Sequence, residues 1–290
     1  MNAFSIITDT GCDIALDVLA DWGVRCACLS YKFTDEDTVY LNNEMPTAEF
    51  YQAMREGRQA KTSAVNSETF RLLFEEELKQ GRDVLYLGLS SGISSTFNAG
   101  RMAAEQLREE YPDRKILAVD PLSASAGLGL WIRFAVDMRD AGKTIEETAK
   151  YIEENRLSMC HWFTVDDLVY LKRGGRISPA VAFVGGMLGI KPVMHVDNDG
   201  HLANVNKVRG RRAAIRAIAE RYAALARDKE NGVIFISQAD CYADAEALVA
   251  DIQALTGRTK GADHITDVGT VIGSHSGPGT LALFFLGTER

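Results

Sequence analysis

The sequence predicts a two-domain α/β protein. Residues 1–160 read as a Rossmann-like βαβ domain on a parallel sheet, and residues 161–290 as an α+β domain with a mixed or antiparallel sheet. Three observations carry this. Short Val- and Ile-rich runs alternate with segments of helical period in the first half. Turn-separated strand pairs appear after about residue 160. Neither an internal repeat nor a linker-like stretch interrupts the 290 residues, so the halves are expected to pack closely around a cleft, the usual place for a small-molecule site.

The elements follow in order. FSIITD, DVLYLGL and KILAVD each end in a polar or glycine-containing turn, and helical patterns such as 99–109 and 127–138 follow. Strands this apolar, joined by crossover helices, form parallel sheets covered on both faces, with ligands beyond the carboxyl ends of the strands. AKTSAVNS, Lys61 to Ser67, reads as a polar loop between a helix ending near Gly57 and a helix capped by Ser67, leaving Thr62 and Ser63 free to face the cleft. In the second half, GIKPVMHVDNDGHLANVNKV reads as a hairpin turning at DNDG, and helices are expected at 211–227 and 243–255. VGTVIGSHS and GTLALFFLG read as a further strand pair about a Gly-Pro-Gly joint, which puts His275 near a strand end.

Composition narrows the function. Hydrophobic residues at 46% and charged residues at 25% exclude a disordered chain. A net charge of -8 argues against nucleic acid as a partner. The start MNAFSIITDTGCD has no basic n-region, and no apolar run reaches the roughly 20 residues that span a bilayer, so a cytoplasmic protein that does not cross a membrane is expected. The five cysteines (Cys12, Cys26, Cys28, Cys160, Cys241) show no CxxC and read as reduced thiols. His161, His195, His201 and His264 show no metal-ligand spacing, and HVDNDG has His195 and Asn206 where a calcium loop needs acids.

Several segments carry chemistry. GLSSG, Gly88 to Gly92, follows a strand and precedes a helix, as a G-x-S-x-G nucleophile elbow does. A serine hydrolase using Ser90, with Asp120 or Asp240 and His275, is therefore one reading. Five hydroxyls in the seven residues Ser90 to Thr96 favour another, a cradle of donors for a carboxylate or phosphate; plain helix capping is a third. His275 in GSHSGPG is either structural or a donor to a bound anion, strengthened by protonation near neutral pH. Arg173 and Arg176 in YLKRGGRIS, and the cations of KVRGRRAAIR, form either a solvated face or an electropositive rim. AFVGGMLGIKP, Ala182 to Pro192, is buried packing or the wall of an alkyl slot, with Met187 as a gap-filler. Neither G-x-x-x-x-G-K-[ST] nor G-x-G-x-x-G opens a helix, so no nucleotide cofactor is expected.

Taken together, IITDTGCD, KTS, LSSGISSTFNAG, VDPLSASAGLG, FTVDDLVYLKRGGRIS, LGIKPV, KVRGR and GTVIGSHSGPGTLALFFLG resemble, in this order over the whole chain, the DegV family of bacterial fatty-acid-binding proteins. The resemblance implies a two-domain, non-enzymatic lipid-binding protein. It would hold one long-chain fatty acid in an apolar tunnel at the domain junction and present its carboxylate to a separate ATP-binding fatty acid kinase subunit for phospholipid synthesis. It implies Thr62, Ser91 and His275 as carboxylate ligands, Arg209 close to the headgroup, and backbone donors at Ser63 and Gly92. Arg173, Arg176 and 209–212 become contacts for the kinase or the product's added charge. The chain departs from the family where the common TSQPS loop reads TSAVN, which leaves Thr62 and Ser63 in place but removes a proline that fixes the loop path.

Overall fold

The computed structural model describes residues 4–42, 44–178 and 189–290. Ala182 to Leu188, with Met187, lie outside the described residues, so the alkyl-slot reading of that segment is not addressed. The parallel sheet expected in the first half is present, in the order β2 (Val24–Ala27), β1 (Phe4–Asp9), β6 (Asp83–Leu87), β7 (Ile116–Val119). Its apolar runs are buried because helices cover them. Among these are α3 (Ser67–Lys79), α4 (Thr96–Glu110), α5 (Ala126–Asp140) and α6 (Ile145–Asn155).

The second half is built on a six-stranded mixed sheet, in the order β10 (Leu202–Arg209), β9 (Ile190–Val196), β8 (Met159–Thr164), β13 (Leu281–Leu286), β11 (Phe235–Gln238), β12 (His264–Asp267). The DNDG hairpin joins β9 to β10, its turn closed by Gly200 N–H donating to Asp197 O at 3.0 Å with Gly200 at φ +80°. Helices α8 (Arg211–Leu225) and α9 (Tyr242–Thr256) form with Ile215, Ile218, Leu248 and Ile252 inside, and cover one face of this sheet. Helix α5 lies against the other face, touching β8, β11 and β13 on one side and β1 and β6 on the other. It is the layer between the two sheets. Period-two alternation in β8 thus turns Cys160 and Trp162 towards α8 while Met159, His161 and Phe163 face inwards.

Three expectations are corrected. KTS is not a loop: Ala60–Ser63 is strand β5 of a small antiparallel sheet, ordered β4 (Tyr40–Leu41), β3 (Ser30–Phe33), β5, with Thr62 opposite Tyr31. Asn66, not Ser67, caps α3, its side chain accepting from Thr69 N–H at 2.9 Å. VGTVIGSHS is not the strand partner of GTLALFFLG. Thr270–Ser276 is a short helix, α10, ended by Gly277 at φ +82°. Its first amides are held by distant side chains, Gly269 N–H by Asp13 at 3.0 Å and Val271 N–H by Asn42 at 2.7 Å, which outweigh the strand preference of Thr270, Val271 and Ile272.

Candidate functional site

Where β5, the loop after β6, α10 and the inner face of the six-stranded sheet meet, they enclose a cavity of about 260 Å³. Much of its wall is apolar: Leu29, Leu89, Phe163, Leu171, Val271 and Phe284 are examples. Its polar groups gather in two places. At one pole stand Thr62 and Ser63 from β5, Ser94 and Ser95 from the loop before α4, Arg176, and His275 and Ser276 at the end of α10. Thr62 Oγ1 lies 2.8 Å from His275 Nε2, which ties the small sheet to α10 across the chain. Ser125, Ser237 and His161 also line the cavity.

The first pole is a donor cluster with no acid among the described residues of its lining. Arg176 is steered there by donating from Nε to Ile93 O at 3.0 Å, which sets its guanidinium beside the 93–95 turn. Burial pulls the Arg176 pKa down. Burial, with the Arg176 charge second, lowers His275 to about 4. Without a ligand the imidazole is therefore neutral near neutral pH. Its Nδ1 sits against Gly174, where a side chain would clash with the ring. A positive guanidinium, hydroxyls and an imidazole at one end of an apolar chamber suit a carboxylate or phosphate attached to a greasy group.

The residues implied by resemblance divide here. Thr62, Ser63 and His275 line the cavity. Ser91, Gly92 and Arg209 do not. Ser91 is exposed, its amide donating to Asp120 at 3.2 Å, and Ser94 and Ser95 from the same loop line the cavity instead. Gly92 packs on the β9–β10 turn; a methyl group there would stand 2.7 Å from Asp199 O, so glycine lets the two halves meet. Arg209 is exposed at the end of β10, and Arg176 is the guanidinium in the wall. Sequence reasoning grouped Arg176 with the outer rim; its place after a Gly-Gly pair was the available signal.

The hydrolase arrangement does not form. Ser90 is buried, its Oγ donating to Gly200 O at 3.0 Å and accepting from Gly92 N–H at 3.2 Å, while His275 is engaged with Thr62. GLSSG is thus a clasp on the β9–β10 turn. Of the outer cations, Arg211 pairs with Asp244 at 2.8 Å, Arg212 pairs with Asp251, and Arg173 lies over the Tyr170 ring.

A family model described as "Uncharacterised protein, DegV family" matches residues 3–288. The chain belongs to the DegV family. A DegV domain-containing protein of Clostridium perfringens is 40% identical over 294 residues, spanning 100% of this chain and 99% of that protein. Among solved structures, a DegV family protein from Thermus thermophilus, described by its fatty acid binding, superposes with a TM-score of 0.88 at 28% identity, over 98% of this chain and 99% of that one. DegV of Bacillus subtilis, described as a fatty acid binding protein, gives a TM-score of 0.82 at 25% identity, over 99% and 100%. No helix among the described residues is long and apolar enough to cross a membrane.

Proposed function

We propose that this DegV protein binds one long-chain fatty acid, its carboxylate at the Thr62–His275 pole and its tail along the apolar wall, at the junction of domains spanning residues 1–160 and 161–290. The observation that carries this is the joining of a donor cluster without acids to an apolar chamber in one cavity. Thr62, Ser94, Arg176 and His275 are the carboxylate ligands, with Ser63 and Ser95 beside them; Ser91, Gly92 and Arg209 act outside the cavity. Each buried methylene contributes about 0.8 kcal/mol, so the tail supplies the affinity and the head sets the orientation. The fatty-acid-binding relatives support this reading.

In the same proposal the protein is the non-catalytic subunit of a fatty acid kinase system. A carboxylate oxygen of the bound acid attacks the γ-phosphorus of ATP held by a separate kinase subunit. ADP leaves, and the acyl phosphate enters phospholipid synthesis. The chain presents the acid and supplies no nucleotide site. Displacement of a fluorescent fatty acid by palmitate and stearate tests the binding. ATP-dependent acyl-phosphate formation with the kinase subunit of a DegV-containing bacterium tests the presentation. Saturable displacement without acyl phosphate would retain binding and remove the kinase role; no displacement would remove both.

A further inference from the structure

Two short helices meet at the headgroup pole. The end of α7 (Val169–Arg173) packs on α10, and each helix receives a ring of the other on a glycine. Gly277, which ends α10, lies against the Tyr170 ring. Gly174, which follows α7, lies against His275. The three atoms nearest to a methyl group placed on Gly174 are Nδ1, Cε1 and Cγ of that imidazole, the two carbons at 3.1 Å. Gly174 also steadies Arg176, whose Nη1 donates to the Gly174 carbonyl at 2.5 Å while its Nε donates to Ile93 O at 3.0 Å.

The backbone does not require glycine at this position. Gly174 has φ −72° and ψ −10°, helical values that alanine adopts readily, and its N–H donates to Tyr170 O at 2.9 Å. The left-handed residue beyond α7 is its neighbour Gly175, at φ +70°, where a methyl group would meet nothing within 4 Å. Glycine at 174 therefore answers to the His275 ring. That ring is the far end of a side chain and can rotate, so a methyl group at 174 displaces the imidazole and leaves the chain path as it is. What the displacement removes is the 2.8 Å approach of Nε2 to Thr62 Oγ1.

We propose that Gly174 is a positioning residue of the headgroup pole and sets the preference of the cavity for a carboxylate over a neutral head on the same chain. By carrying no side chain it lets the end of α7 close on His275, which holds Nε2 at Thr62. Through its carbonyl it keeps Arg176 beside them. A carboxylate takes charge-assisted hydrogen bonds that an alcohol head cannot match, and these need their donors held together. The proposal deepens the fatty-acid reading above and rests on it.

The test is competition of stearic acid and of octadecanol against a bound fluorescent fatty acid. It is run on the wild type, Gly174→Ala, His275→Ala and the double variant, each checked for folding by thermal melting. Gly174→Ala should weaken stearic acid by about tenfold and octadecanol by less than about twofold. In the His275→Ala background the same change should weaken stearic acid no further, because the colliding ring is gone. If Gly174→Ala does not fold alone, the double variant is expected to fold for that reason. Unchanged stearic acid binding in Gly174→Ala, equal losses for acid and alcohol, or an effect that adds in full to that of His275→Ala overturns this inference alone. So does a double variant that fails to fold where His275→Ala folds. Failure of stearic acid to bind the wild type overturns the fatty-acid reading with it.

Discussion

The two polar regions of the cavity are satisfied in opposite ways. At the Thr62–His275 pole, hydroxyls, an imidazole and a guanidinium converge with no carboxylate among them, so donor capacity is left for a ligand. In the inner wall, Ser125 bonds to Ser237 and donates to Asp13. Asp13 is itself a hub, accepting from Gly269 N–H at 3.0 Å, and burial raises it to about 7. The difference separates a pole organised to orient a head from a wall organised to hold two halves of the chain around a tail.

The strongest way to break this division is to fill the wall. Ala282 lines the cavity from β13, and Ala282→Trp should abolish displaceable fatty acid binding, a loss of a hundredfold or more, while thermal melting shows a folded protein. Undiminished binding would mean that the tail lies elsewhere. At the head, His275→Ala or Thr62→Val should weaken binding by about tenfold and leave chain-length preference unchanged, as competition among acids of different length would show. A change in length preference would merge the two regions into one. Within the 90–96 loop, Ser94→Ala should weaken retention a few-fold in the same assay whereas Ser91→Ala should not, because Ser94 lines the cavity and Ser91 is exposed.

The smallest expected effect is on pH. Unliganded His275 stays neutral down to about 4, and a carboxylate arriving beside it raises its pKa. Binding then takes up protons, so affinity should rise as pH falls from neutral towards about 5; calorimetry in buffers of different ionisation enthalpy reads the uptake. Stability is a poorer readout. Between about 4 and the ordinary value of 6.5 the lowered His275 loses stability as pH falls, whereas Asp9, raised to about 6, and Asp13, raised to about 7, gain it. Proton release on binding would contradict the head-group assignment.

The same contrast explains what the sequence could show. β1, β6 and β7 were legible because a strand buried on both faces is a short unbroken apolar run. α10 was not, because its amides are held by Asn42, 229 residues upstream, and by Asp13, 256 upstream of Gly269, and local preference carries no trace of such partners. At the site, Thr62 and His275 could be picked out by resemblance, each being one candidate in a short motif. Five hydroxyls in an irregular loop have no period to say which face inwards, so Ser91 was chosen where Ser94 lines the cavity. The part of Gly174 was not legible, since the ring it makes room for shows itself only once α7 and α10 are packed together.

The most direct test of the central claim is solvent extraction of the purified protein followed by mass spectrometry of the extract and rebinding of fatty acid to the stripped chain. Long-chain fatty acid is expected at close to one molecule per chain, recovered on rebinding. Protein that carries no lipid and also refuses added fatty acid would contradict it.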